Sequence, residues 1–136
     1  SRLDELQAAI LNVKLKYIEQ DNKQRIQLAN MYDEQLSGTQ IRTPKVRKNS
    51  KHVYHLYVVQ CQDRDKAIKK LNSYDIFPGI HYPKPIHFQL GYKKLCKIPS
   101  AGLPVTERVS KNILSLPMYP ELDELSVNMI SDCLAN

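Results

Sequence analysis

No stretch of this sequence has the roughly 18 consecutive apolar residues a membrane-crossing helix needs, so no membrane partner is expected. Glycine and proline are both missing from residues 2–36, which removes the strong helix breakers from the opening of the chain. Cysteine is scarce: Cys61, Cys96 and Cys133 are odd in number and unclustered. That argues against a disulfide framework and for the reducing cytoplasm. Internal repeats and low-complexity tracts are absent. So are an RNP-like strand, a helix-turn-helix pattern and a zinc knuckle. The net charge is +6, but it comes from local runs on loops and a helix, such as Lys45, Arg47, Lys48 and Lys51. Such runs read as solvated surface, and no nucleic-acid partner is expected.

What is present starts with a long helical pattern. Leu3, Leu6, Ile10, Val13, Tyr17, Leu28, Tyr32 and Leu36 fall near one line at the helical period, interrupted at Asp21, Gln24 and Arg25. One unbroken helix within residues 1–37 is expected. It would span roughly 50 Å, more than the small domain behind it could cover, so it is expected to link two bodies. The sequence opens on Ser1-Arg2 with neither Met nor an apolar leader, and a fragment of a longer protein is expected.

Residues 38–136 read as one small α+β domain, for which a hydrophobic fraction of 42% is adequate. Gly38 stops the helix, and residues 40–44 are extended. The run Val53 to Val59, β-branched and aromatic, is the clearest strand. Asp63 caps a helix to about Tyr74, with Ala67, Ile68 and Leu71 inward. Residues 76–82 form a second strand punctuated by Pro78-Gly79. Pro104 and Thr106 open a helix with Val109, Ile113 and Leu114 on its apolar side. A short strand from Ser115 to Met118 precedes a last helix carrying Leu122, Leu125, Met129, Ile130 and Leu134. The fold expected is a small, mostly antiparallel sheet covered by helices.

Four blocks then read together. They are the opening Ser1-Arg2-Leu3-Asp4-Glu5-Leu6-Gln7-Ala8-Ala9-Ile10-Leu11, the strand from His52 to Val58, the segment His81-Tyr82-Pro83-Lys84-Pro85-Ile86-His87-Phe88-Gln89, and residues 104–118 with Pro104-Val105-Thr106-Glu107-Arg108-Val109-Ser110 and Leu114-Ser115-Leu116-Pro117-Met118. In this order and spacing the chain resembles the C-terminal part of the DegT/DnrJ/StrS family of pyridoxal-phosphate-dependent sugar-nucleotide aminotransferases. The resemblance implies the small domain of the aspartate-aminotransferase-like fold type I, with its linking helix. It implies a homodimer with active sites at the interface, a nucleotide-linked keto sugar as substrate and glutamate as donor. The cofactor-binding large domain is expected upstream, with the lysine that holds pyridoxal phosphate. No catalytic residue is therefore expected within these 136 residues.

The resemblance places His81 and Tyr82 where the small domain approaches the sugar nucleotide, with His87 a further candidate. For His87 the favoured reading is packing against the following helix; for Tyr82 the alternative is ordinary core. Arg2 has two readings that stand level: an arginine fork on the cofactor phosphate, or an exposed partner of Asp4 or Glu5. His52 and His55 do not suggest a metal, since strand positions three apart face opposite sides and no ligand set completes them. Tyr17, Tyr32, Tyr54 and Tyr57 read as core and interface aromatics. The prolines around His81 and His87 fix where those rings point. The segment resembles members that aminate C-3 of the sugar more than those acting at C-4. The alternative to an enzyme fragment is a stand-alone interaction or regulatory domain, dimerising through the long helix.

Overall fold

The computed structural model describes residues 4–92 and 94–135. The first helix, α1 (Glu5–Leu15), is capped by Asp4, whose side chain accepts from the Leu6 amide at 2.9 Å. The second, α2 (Ile18–Gln35), follows directly. The single unbroken helix expected from the apolar line is therefore two. At the junction Lys16 and Tyr17 donate to Val13 and Lys14, three residues back, and the wider α spacing resumes when Asp21 donates to Tyr17. No glycine or proline lies at this break, and nothing in its side chains accounts for it.

The two helices also differ in what they bury. α1 buries none of its residues. In α2 only the second half does: Leu28 and Tyr32, followed by Leu36 at the C-cap, recur every four residues on one face. That face packs on the last helix, α5 (Glu124–Ala135), where the Gln35 amide donates to Asn128 Oδ1. Gly38, at φ +77, then turns the chain out of the helix.

The sheet is built on two antiparallel strands, β1 (Tyr57–Gln60) and β2 (Ile113–Leu116), with Tyr57 opposite Leu116 and Gln60 opposite Ile113. Isolated bridges extend it on both sides, Arg42 beside Gln60 and Gly79 beside Ser115. Every pairing is antiparallel, as the sequence implies, and α2 meets the sheet where Tyr32 stacks on Tyr57. The strands are shorter than expected. The Val53–Val59 run is extended ladder only from Tyr57, because Tyr54 takes φ 48 and its amide donates to its neighbour's ring, His52 Nδ1, at 2.9 Å. A side-chain acceptor has replaced a strand partner there. Residues 76–82 shrink to one bridge at Gly79, next to Pro78, which has no amide to offer.

Asp63 caps α3 (Arg64–Asn72) by accepting from the Lys66 amide, and Leu71 is fully buried. The helix stops short of Tyr74, which is exposed. Pro104 stands in the first turn of α4 (Pro104–Asn112). Ile113 and Leu114, expected on that helix, belong instead to β2, which starts before the expected Ser115. In α5 the buried face is Val127, Ile130, Ser131 and Cys133, while Leu125 and Met129 are exposed. The core is one cluster in which Tyr32 stacks on Tyr57 at 4.8 Å between centroids. Of the four tyrosines read as core and interface aromatics, Tyr32, Tyr54 and Tyr57 are in the core and Tyr17 lies exposed at the helix junction.

Candidate functional site

The proline-rich segment after Gly79 lies between β2 and α4. Two reciprocal backbone bonds fasten it: the Gly79 amide donates to the Ser115 carbonyl at 2.9 Å, and the Ser115 amide to the Gly79 carbonyl at 2.8 Å. Two residues later His81 turns back, placing its Nδ1 2.9 Å from Ser115 Oγ. The Tyr82 ring stands edge-on to the His81 ring at 5.6 Å and is 72% exposed. Tyr82 is thus not core, which leaves its ring and hydroxyl free to meet a ligand.

His87 is placed differently. It is buried in a short 3-10 turn, Ile86–Phe88, with Nε2 3.2 Å from Glu107 Oε1 on α4. The same oxygen accepts from the Leu103 amide at 3.2 Å, so one carboxylate caps the helix and fixes the turn. His87 therefore packs against the following helix through Glu107, while the residue also lines the cleft beside that helix. Between turn and helix lies a cleft of about 560 Å³, bordered by Tyr82, Ile86, Leu103, Val105 and Val109. Tyr82 borders this apolar cleft, and His81 does not.

Sequence reasoning singled out His81 and Tyr82, whose rings meet edge to face, but not Gly79, Ser115 or Glu107 beside them. Gly79 read as turn punctuation and Ser115 as one residue of a strand; only the bridge between their backbones reveals a joint role. Arg2 lies outside the described residues. His52 is engaged by Tyr54, whose ring centroid is 4.2 Å away. Lys51 reaches back to Glu19 on α2 at 3.6 Å, a surface ion pair worth little.

Residues 1–135 match the DegT/DnrJ/EryC1/StrS aminotransferase family. The chain belongs to that family. Among its relatives, the dTDP-3-amino-3,6-dideoxy-alpha-D-galactopyranose transaminase of Aneurinibacillus thermoaerophilus is 35% identical over 98% of this chain and 36% of its own length. The dTDP-3-amino-3,4,6-trideoxy-alpha-D-glucose transaminase of Micromonospora megalomicea is 42% identical over 90% of this chain and 34% of its own. The crystal structure of a DegT DnrJ EryC1 StrS aminotransferase from Brucella abortus superposes with a TM-score of 0.91 at 33% identity, over 98% of this chain and 35% of that one. The chain thus has the architecture of fold type I aminotransferases and spans about a third of the length of these relatives.

Members of this family use pyridoxal phosphate, which needs a lysine in a desolvated pocket. Among the described residues every lysine is exposed except Lys70, which is half-buried on α3. These residues do not fit the cofactor, and no chemical step is assigned to them.

Proposed function

We propose that this chain is the C-terminal part of an aminotransferase that moves an amino group, with glutamate as donor, onto a nucleotide-linked keto sugar. Amination is at C-3, as the names of the two dTDP-sugar relatives indicate for those enzymes. The full-length protein works as a cytoplasmic homodimer making sugars for cell-surface polymers or secondary metabolites. Pyridoxal phosphate, held by the rest of the protein, supplies the electron sink for the exchange. Residues 1–37 link that larger body to the α+β domain of residues 38–136, and Arg2 lies near the cofactor phosphate.

The observation that carries this reading is the family match over residues 1–135. The apolar surfaces agree with it. Leu6, Ile10 and Val13 on α1, and Phe77, Leu90 and Leu95 around the proline-rich segment, are all exposed. Apolar surface of this extent is normally covered by another body. The role of the described residues is binding. His81 and Tyr82 meet the sugar nucleotide, while His87, through Glu107, holds their segment on α4.

The test is to incubate the full-length protein with pyridoxal phosphate, glutamate and 3-keto sugars on dTDP or UDP, and follow 2-oxoglutarate and amino-sugar formation. Amino sugar from a 3-keto substrate supports the proposal. A protein that binds no cofactor and forms none of these products overturns it in favour of an interaction domain.

A further inference from the structure

We infer that Gly79 and Ser115 position His81 so that its Nε2 carries the proton and faces the ligand as a hydrogen-bond donor. The inference rests on the reading that His81 meets the sugar nucleotide, and adds which atom does so and in what role.

Gly79 matters for its missing side chain. Its φ lies outside the left-handed region, so its backbone conformation is open to any residue. A Cβ built there, however, would fall 2.6 Å from His81 Cε1 and 3.3 Å from Nδ1. The Cε1 edge of the imidazole occupies the space a methyl group would take. Because residue 79 is bridged to Ser115, that same approach brings Nδ1 within 2.9 Å of the serine hydroxyl. Glycine and serine thus hold the ring from two directions.

The hydroxyl then decides the tautomer. Ser115 is 4% exposed, and its Oγ has no other hydrogen-bond partner among the described residues. If Nδ1 bore the proton and donated to Oγ, the serine O–H would be buried without an acceptor, which interiors avoid. If the serine donates to the Nδ1 lone pair, both groups are satisfied by one bond. Nδ1 is then the acceptor and Nε2 the protonated nitrogen. His81 is exposed as a residue, and its Nε2 has no protein partner among the described residues. The ring therefore offers an N–H to an oxygen acceptor on the ligand, a sugar hydroxyl, carbonyl or phosphate oxygen. With its free lone pair spent on Ser115, neutral His81 is a binding donor and not a proton acceptor.

The experiment uses full-length protein labelled with ¹⁵N-histidine, in alkaline buffer. Two-bond proton–nitrogen correlations read the tautomer, and the His81 signal is the one lost in H81Q. The expected result is a protonated Nε2 in the unaltered protein, with that preference weakened in S115A and the signal displaced in G79A. Both variants should raise KM for the sugar nucleotide about tenfold with kcat within about twofold, the pattern of lost uniform binding. A protonated Nδ1 in the unaltered protein, or a His81 signal that neither variant moves, overturns the positioning. Binding of UDP-N-acetylglucosamine and dTDP-glucose separates that failure from failure of the ligand reading. If H81Q binds both as the unaltered protein does, His81 does not face the ligand, whatever its tautomer.

Discussion

Tyr57 Oη donates to Asp33 Oδ1 at 2.6 Å, and with that bond the first strand is tied to the second helix across the stack of Tyr57 on Tyr32. The second tyrosine of the stack makes its own tie, donating to the Pro117 carbonyl just beyond β2 at 3.0 Å. Two phenols thus lock the α2 face onto both central strands. Tyr57→Phe keeps the ring and its stacking but leaves the half-buried Asp33 carboxylate without this donor. A loss of about 1–2 kcal/mol is expected on urea unfolding. Asp33→Ala should cost a similar amount, and the double variant less than the sum, because both changes break one bond. Additive losses would show that the two residues act separately.

The same tyrosines set an alkaline limit on stability. Burial first, then the Asp33 hydrogen bond and charge, push the Tyr57 phenol well above the ordinary tyrosine value. Burial, then Tyr119, does the same for Tyr32, and burial with Asp33 raises Tyr54. A raised phenol pKa means the folded state favours the neutral form. That stability is fully present below the unfolded value of about 10 and is lost progressively as pH rises beyond it. The thermal midpoint should therefore fall on going above about pH 10. Tyr57→Phe should flatten that fall while lowering the midpoint at neutral pH. An alkaline slope unchanged in the variant would rule out Tyr57 as a source.

Glu107 is the joint between α4 and the turn that carries His87. Glu107→Ala leaves a buried imidazole and the Leu103 amide without their acceptor, and about 1–3 kcal/mol of destabilisation is expected. Glu107→Gln keeps an oxygen for one of these donors and should recover about half of the loss. Urea midpoints for the two variants check the order. If alanine is no worse than glutamine, the carboxylate is not the joint.

Much of this was legible in the sequence because local rules governed it. Asp63 and Pro104 mark helix starts through capping and fixed φ, and the structure has helices there. Gly38 ends α2 for the reason glycine usually does. The misses share a different cause. Tyr54 has a strand-former's side chain, yet its backbone is diverted by His52, a competition that strand propensity does not record. The line from Leu6 to Tyr17 reads as a buried face because periodicity reports amphipathicity and not what covers it. At the site, the resemblance pointed to His81 and Tyr82. The partners Gly79 and Ser115 are separated by 36 positions and meet only through backbone pairing, which no local pattern announces.

The exposed face of α1 gives the last prediction. A helix of 11 residues with none buried is marginal by itself, since nucleation is costly and packing supplies most helical stability. The C-terminal half of α2 is anchored on α5 through Leu28, Tyr32 and Leu36. In the 136-residue chain alone, amide exchange should be fast through Glu5–Leu15 and slow around Leu28 to Tyr32. In the full-length protein α1 is expected to become protected, because the proposed function seats Leu6, Ile10 and Val13 against the larger body. Ile10→Glu should then restore fast exchange in α1 and leave the α2–α5 contact intact. If α1 stays unprotected in the full-length protein, its apolar face is not an internal junction. If it is already protected in the short chain at all concentrations, the helix is stable without any partner and needs no larger body to hold it.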